Sequence, residues 1–284
     1  MWEKLVNKFR GKDKPAPQTD WGLELLSLDE KTDIPSLLAN LSGTNKQKQA
    51  SAAEILGKFQ REEALPNLVD LLSSSNLGVV LAVTEALKNY PPAQTLPLLL
   101  ATLDDPLRWP PARVAEIIVS YGQGIVTVLA DCFPSKTGEA QTALVEMLGR
   151  LGTREGLPII CMAMSTDQPT LRQKAAWAAG QLGVEIVSEP GINRLLQALL
   201  QDPVAMVRAQ ALETLWEKDA SQAWPLVQAA MLDQDRIVRS RAAGMLSDRL
   251  DLPREIWSIS GKKILSPEDR QSMTDWMRSA AAAK

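Results

Sequence analysis

The sequence predicts an all-α fold, a right-handed α-solenoid of about seven helix pairs, and three observations support this prediction. Residues 202–212 are followed about 31 residues later by a similar segment at 233–243, and an earlier copy begins at residue 167. Hydrophobic residues make up 45% of the chain but aromatic residues only 5%, so small and aliphatic side chains supply a core suited to close helix packing. Proline and glycine recur with the same spacing. Self-similarity at a period of ~30 residues is typical of stacked helix pairs.

Apolar residues at helical spacing place the predicted pairs between residues 33 and 250. The first helix of each pair is predicted over residues 34–41, 64–72, 93–103, 125–133, 157–164, 192–200 and 223–231. The second is predicted over residues 48–59, 77–90, 111–121, 138–151, 170–182, 204–216 and 236–250. We therefore assign residues 21–250 to the solenoid, with Asp20 as the N-cap of an initial helix.

Turn-forming residues are expected to mark the ends of these helices. Proline costs no hydrogen bond in an opening turn, which predicts starts of first helices at Pro66, Pro97, Pro158 and Pro225. Glycine adopts the left-handed conformation that stops a helix, which predicts ends of second helices at Gly57, Gly152 and Gly183. The third pair carries an additional proline pair at residues 110–111, which predicts a local change in the curvature of the stack.

These repeats resemble HEAT repeats, and specifically the ~30-residue subtype shared with the phycobilisome-lyase family, over roughly residues 33–250. The resemblance implies an α-solenoid. It also implies a possible activity, because such repeats occur in bilin lyases and isomerases, which attach tetrapyrroles to cysteines of a partner protein. Deoxyhypusine hydroxylase resembles this chain in fold, but its di-iron site needs His-Glu motifs, and this chain contains no histidine.

Composition restricts the chemistry further. The lack of histidine excludes Ser-His-Asp and Cys-His catalysis and histidine-containing zinc sites. The two cysteines, Cys132 and Cys161, lie in apolar helical stretches and are expected to be buried thiols. The net charge of −3 argues against a nucleic-acid partner. We expect no cofactor and no metal.

The sequence predicts a cytoplasmic location. No apolar run reaches the ~18 residues that a membrane-spanning helix requires, and the chain starts with an amphipathic rather than an apolar stretch.

Residues 1–20 are predicted to form an amphipathic helix and a flexible linker. One face of a helix over residues 1–10 carries Trp2, Leu5, Val6 and Phe9. Residues 1–14 hold five basic and two acidic residues, and two prolines make residues 11–19 a linker. The apolar face could dock on a partner, fold back on the solenoid, or contact the inner face of a membrane peripherally, and these alternatives stay open.

Residues 251–284 are predicted to form a C-terminal cap, because terminal repeats must cover the last exposed part of the core. Residues 256–265 alternate like a hairpin or an extended segment, and Ser266 is the expected N-cap of a terminal helix.

Recurrent charges within the repeats are candidates for partner binding. Three arginines recur in register with three aspartates, namely Arg172, Arg208 and Arg239 with Asp167, Asp202 and Asp233. They permit two interpretations, a ladder of charges that binds a partner, or aspartates that cap second helices while arginines bond to the adjacent repeat. The resemblance to HEAT-like families implies the structural interpretation. Trp109, in the proline-rich turn, is a candidate for an exposed contact.

The leading functional hypothesis is a non-catalytic scaffold or adaptor that binds another protein along the wall formed by the second helices. The candidate binding residues are Trp2, Leu5, Val6, Phe9, Trp109, Arg172, Arg208 and Arg239. The alternative, implied by the resemblance alone, is a bilin lyase or isomerase, or a chaperone of chromophore attachment.

Overall fold

A computed structural model describes residues 33–183 and 189–250, with side chains up to residue 246. These ranges contain fourteen α-helices and no strand, which confirms the predicted all-α fold of seven helix pairs. The first helices are α1 (Ile34–Ser42), α3 (Leu65–Leu71), α5 (Pro92–Thr102), α7 (Val126–Cys132), α9 (Leu157–Met164), α11 (Pro190–Leu199) and α13 (Ala220–Ala230). The second helices are α2 (Lys46–Lys58), α4 (Leu77–Lys88), α6 (Pro111–Ser120), α8 (Gly138–Leu151), α10 (Pro169–Gln181), α12 (Ala205–Lys218) and α14 (Arg236–Leu250).

Two of the predicted helix starts are wrong. Pro66 and Pro158 lie in the opening turns of α3 and α9, as predicted, but Pro97 and Pro225 lie inside α5 and α13. Both of these helices begin about one turn earlier. α5 starts on a proline at its first position, and the side chain of Asp219 accepts hydrogen bonds from the first N–H groups of α13.

The two layers of helices pack differently. Consecutive second helices contact one another extensively, whereas consecutive first helices contact one another sparsely. A stack bends towards the layer that is more closely packed, so the second helices line the inner, concave wall. Aliphatic side chains fill the space between the layers, and a nearly continuous core runs through the stack.

Three glycines explain the close approach of the second helices. Gly57, Gly149 and Gly180 each occupy the twelfth position of a second helix, and each lies against the tenth residue of the next second helix. A Cβ atom on Gly57 would lie 2.5 Å from Cα of Ala86, and one on Gly149 would lie 2.7 Å from Cα of Ala178. Only glycine permits backbones to pack at this separation.

The glycine contacts correct one prediction about helix ends. Gly152 has φ of +66° and terminates α8 as predicted. Gly57 does not terminate α2, because the helix continues through Lys58 and the glycine is buried against α4. Its role is tertiary packing, which a local sequence pattern does not distinguish from capping.

The second helix of the third pair, α6, packs less extensively against its neighbours α4 and α8 than α2 packs on α4 or α8 on α10. On α4 the twelfth position is occupied by Lys88 instead of glycine, and its side chain extends to Glu116 of α6. On the other side, α6 ends at Ser120, before a twelfth residue is reached. The concave wall is therefore more open around α6.

Two tyrosines, one buried (Tyr90) and one partly buried (Tyr121), join neighbouring repeats at equivalent places. Tyr90 donates from its hydroxyl to the carbonyl oxygens of Leu56 (3.1 Å) and Arg61 (2.9 Å), and Tyr121 donates to that of Leu87 (3.0 Å). Burial raises the pKa of Tyr90 to about 12, so its hydroxyl stays protonated and serves as a donor.

Within the described ranges, no single helix is long and apolar enough to cross a membrane. One pair bent by 112°, Pro111–Ser120 with Gln123–Ser135, meets the requirement only when the two segments are taken together, by length and composition alone.

Candidate protein-binding surface

The arginine and aspartate ladder joins adjacent repeats. Arg172 of α10 donates from Nε and Nη2 to the two carboxylate oxygens of Asp202, at 2.6 and 2.9 Å, and from Nη1 to the carbonyl oxygen of Thr166 at 2.8 Å. Asp202 in turn accepts a hydrogen bond from the N–H of Val204, immediately before α12. One aspartate thus orders the start of its own second helix and binds the preceding repeat.

The next repeat reproduces this arrangement. Arg208 donates from Nε and Nη2 to the carboxylate of Asp233, at 2.9 and 2.7 Å, and from Nη1 to the carbonyl oxygen of Asp202 at 2.7 Å. Arg239 donates from Nη1 to the carbonyl oxygens of Asp233 and Gln234, at 2.7 and 2.9 Å. Among the described residues no carboxylate pairs with Arg239, which belongs to the last described repeat.

These contacts support the structural interpretation of the ladder. The side chains of Arg172 and Arg208 are largely buried, and their donors point to acceptors of the chain itself. The geometry accounts for both arginines without a partner protein, and partner binding through them or through Arg239 stays a prediction.

The ladder also perturbs the ionisation of its carboxyl groups. Burial is the largest single influence and by itself would raise the pKa of Asp202 and of Asp233. Hydrogen bonds from Arg172 and the N–H of Val204 to Asp202, and from Arg208 and the N–H of Asp235 to Asp233, act together with the positive charge of the arginines and lower both pKa values. The carboxylates therefore stay charged to a lower pH in the folded protein than in the unfolded chain.

A pH dependence of stability follows. The stabilisation by these carboxylates is fully present above their ordinary unfolded pKa of about 4 and is lost as the pH falls through the lower folded-state pKa. The free energy of unfolding is measured by urea titration at decreasing pH for the original protein and for the double variant Asp202→Asn, Asp233→Asn. Because asparagine does not titrate, the variant should lose less stability below pH ~4 than the original protein does. Equal losses in both proteins would contradict this assignment.

Trp109 is not freely exposed. It packs on the hydrophobic core as a partly buried side chain, and the guanidinium of Arg108 lies 4.2 Å from its ring centroid. Its Nε1 atom is buried and has no hydrogen-bond partner among the residues that the structure describes. In this turn the exposed apolar residue is Leu107, whose exposed fraction is 95%. Partner binding by Trp109 stays a prediction, and the structure places Leu107 where that prediction expected an exposed aromatic residue.

Four candidate residues, Trp2, Leu5, Val6 and Phe9, lie outside the described residues, as do the predicted linker and the predicted C-terminal cap. The docking face, with its three alternatives, therefore stays a prediction.

The concave wall carries a second set of charge pairs, which the sequence reasoning missed. Each joins neighbouring second helices: Lys88 to Glu116 (3.0 Å), Lys174 to Glu146 (2.8 Å), and Arg241 to Glu213 (2.9 Å). Each pair is separated by 28 residues in the sequence. That spacing, close to the repeat period, was a signal in the sequence that could have identified them.

A groove opens on this wall beside α6. Its cavity of about 330 Å³ is lined by α6, α8 and α10. The apolar lining consists of Pro111, Ala112, Ala115 and Ala143, and the charged lining of Glu139, Glu146 and Lys174. We call this cavity the alanine groove. Small side chains and the loose packing of α6 leave this space open.

Two exposed leucines lie on the neighbouring helix of the concave wall. Leu77 and Leu81 of α4 have exposed fractions of 56% and 49%. They share a helical face with Glu85 and Lys88, because the spacing is four, four and three residues. Since Lys88 bonds to Glu116 of α6, this face is directed towards α6.

A larger cavity, of about 430 Å³, lies between the sixth and seventh pairs. It is lined by the ion pair of Arg208 and Asp233 and by aliphatic side chains such as Leu212, Leu226 and Val238. Its charged groups are all paired, Arg208 with Asp233 inside the lining and Asp202 with Arg172 outside it. In the two described ranges no group of three or more His, Cys, Asp or Glu side chains is arranged to hold a metal ion.

Stacked helix pairs with a closely packed inner layer define the protein as an α-solenoid. The sequence profile of HEAT repeats matches residues 34–117 and 192–282, more than half of the chain. The chain belongs to the HEAT-repeat family.

Several known structures are similar to this chain over about three quarters of its length. An engineered protein is 19% identical over 76% of this chain and 98% of its own, with a TM-score of 0.39. Human deoxyhypusine hydroxylase in complex with glycerol is 18% identical over 75% of this chain and 83% of its own, with a TM-score of 0.35. A designed armadillo repeat protein in complex with the peptide (KR)4 is 16% identical over 76% of this chain and 99% of its own, with a TM-score of 0.38. Among curated proteins, the sequence comparison finds no match.

Proposed function

We propose that this protein is a non-catalytic scaffold or adaptor in the cytoplasm that binds a partner protein along the concave wall of its second helices. The observation that carries the proposal is the open region around α6, where an apolar groove and two exposed leucines share one wall. Solenoid curvature commonly creates concave binding surfaces of this kind. Exposed apolar side chains beside a cavity are a frequent feature of protein-binding sites.

The proposal is tested by affinity capture from the lysate of the native host. Leu81→Arg introduces charge on the concave wall, whereas Val128→Arg introduces it on the first helix α7, where the valine has a similar exposed fraction (43%). We expect partners to be lost with Leu81→Arg and retained with Val128→Arg, because the arginine disrupts apolar contact on one face only. Retention by both baits would contradict binding at the concave wall.

A third bait addresses the N-terminal docking face. Full-length protein and a version lacking residues 1–20 are compared in the same capture experiment. A partner lost only with the shorter bait would assign docking to the face of Trp2, Leu5, Val6 and Phe9. A partner retained by both would assign recognition to the solenoid.

The finer resemblance to the phycobilisome-lyase-like subgroup remains the basis of the alternative function, a bilin lyase or isomerase or a chaperone of chromophore attachment. Its support is the repeat pattern of the sequence. Visible absorbance that copurifies with the protein would favour this alternative. Turnover of any substrate by the protein alone would contradict a non-catalytic scaffold.

A further inference from the structure

We propose that the alanine groove binds a basic peptide segment of the partner, with an aliphatic side chain seated on the alanines and a lysine or arginine beside Glu139. This inference rests on the proposed scaffold function and names the chemistry of the segment that is bound. It places binding at one location, between α6, α8 and α10, rather than along the whole wall.

The shape of the groove fits an aliphatic side chain. Ala112, Ala115 and Ala143 leave a cavity of about 330 Å³, larger than a single aliphatic side chain and open to solvent. An apolar side chain placed there is removed from water, and this burial favours binding. Leu77 and Leu81, on the adjoining helix α4, extend the apolar surface for neighbouring side chains of the same segment.

The charge of the groove lining selects a basic segment. This lining carries two acids, Glu139 and Glu146, and one base, Lys174. The base is already engaged, because its ammonium lies 2.8 Å from the carboxylate of Glu146. On the adjoining helices the ammonium of Lys88 lies 2.8 Å from the carboxylate of Glu85 and 3.0 Å from that of Glu116.

One carboxylate of this lining has no bonding partner among the described residues. Glu139, in the first turn of α8, is exposed and lines the groove, and its side chain forms no hydrogen bond or ion pair with any residue of 33–183 or 189–246. The excess of negative charge attracts a lysine or arginine and repels an acidic segment or a phosphate backbone. Complementary charge and apolar surface occur within one groove, which is why the occupant is a basic segment with an aliphatic residue.

The test is a selection of peptides from a random displayed library against the full-length protein. We expect the enriched peptides to be more basic than the starting library and to place an aliphatic residue next to lysine or arginine. The binding of one labelled enriched peptide is then measured by fluorescence anisotropy. Its affinity should fall as salt is raised, since the contact with Glu139 is exposed.

Matched variants locate the peptide. Ala112 is exposed and lines the groove, so Ala112→Trp fills the cavity and should weaken peptide binding by at least about tenfold. Glu139→Lys should weaken it by about fivefold at low salt. The controls are Ala101→Trp on α5 and Glu155→Lys before α9, both exposed and outside the groove, and they should bind as the original protein does. Circular dichroism establishes that all four variants are folded.

Three results would overturn the proposal: enrichment of acidic or uncharged peptides, unchanged binding by Ala112→Trp, or no enrichment at all. The scaffold function is judged separately by capture from lysate. A partner that is lost with Leu81→Arg but retained with Ala112→Trp would overturn the groove assignment and leave the scaffold function standing.

Discussion

Replacement of Asp202 by alanine is expected to lower the free energy of unfolding by about 3–5 kcal/mol, because it leaves a buried arginine without its counter-charge. The side chains of Asp202 and Arg172 are only 4% and 12% exposed. The change also removes the acceptor of the N–H of Val204, at the start of α12. Urea denaturation followed by tryptophan fluorescence measures the loss.

Two further variants distinguish the ion pair from other effects of the substitution. Asp70→Ala removes the acid of an exposed pair with Arg108, in which both side chains are more than half exposed, and should cost less than about 1 kcal/mol. The double variant Arg172→Met, Asp202→Asn leaves no unpaired charge and retains an acceptor for Val204, so it should be more stable than Asp202→Ala. Equal losses for Asp202→Ala and Asp70→Ala would show that burial of the pair is energetically unimportant.

Replacement of Gly149 by alanine is expected to destabilise the protein by about 1–3 kcal/mol, the range for overpacking in a filled core. The added Cβ would lie 2.7 Å from Cα and Cβ of Ala178 and 3.2 Å from a ring carbon of Trp177. The sign of the change in unfolding free energy is informative. Without a steric clash, replacing a helical glycine by alanine would stabilise the protein by roughly 0.5–1 kcal/mol. Thermal and urea unfolding both report the change.

Gly244 of α14 is the matched control. It also lies inside a second helix, but a Cβ there would meet no atom of the described residues within 4 Å. Gly244→Ala should therefore raise the free energy of unfolding by roughly 0.5–1 kcal/mol. If Gly149→Ala stabilised the protein to the same extent, the close approach of α8 and α10 would not constrain this position.

The helices themselves could be predicted from local features. A period of ~30 residues, apolar residues at helical spacing and proline in opening turns are properties of single segments. They sufficed to predict all seven pairs. The resemblance to HEAT-like families further implied that the arginines bond to the adjacent repeat, as Arg172 does to Asp202. The errors at Pro97 and Pro225 arose because a proline in a helix can lie one turn beyond the start.

The position of the groove could not be predicted locally, because it depends on contacts between helices. Lys88 and Gly149 occupy the same position of their helices. Lys88 keeps α6 at a distance from α4, whereas Gly149 permits close contact between α8 and α10. Gly57 likewise has the sequence context of a helix end, and only its neighbour Ala86 reveals that it serves packing. Local spacing decides where helices form, because their hydrogen bonds and apolar stripes lie within one segment. How far the helices separate, and therefore where a surface opens, depends on side chains about 30 residues apart that meet only in the folded stack.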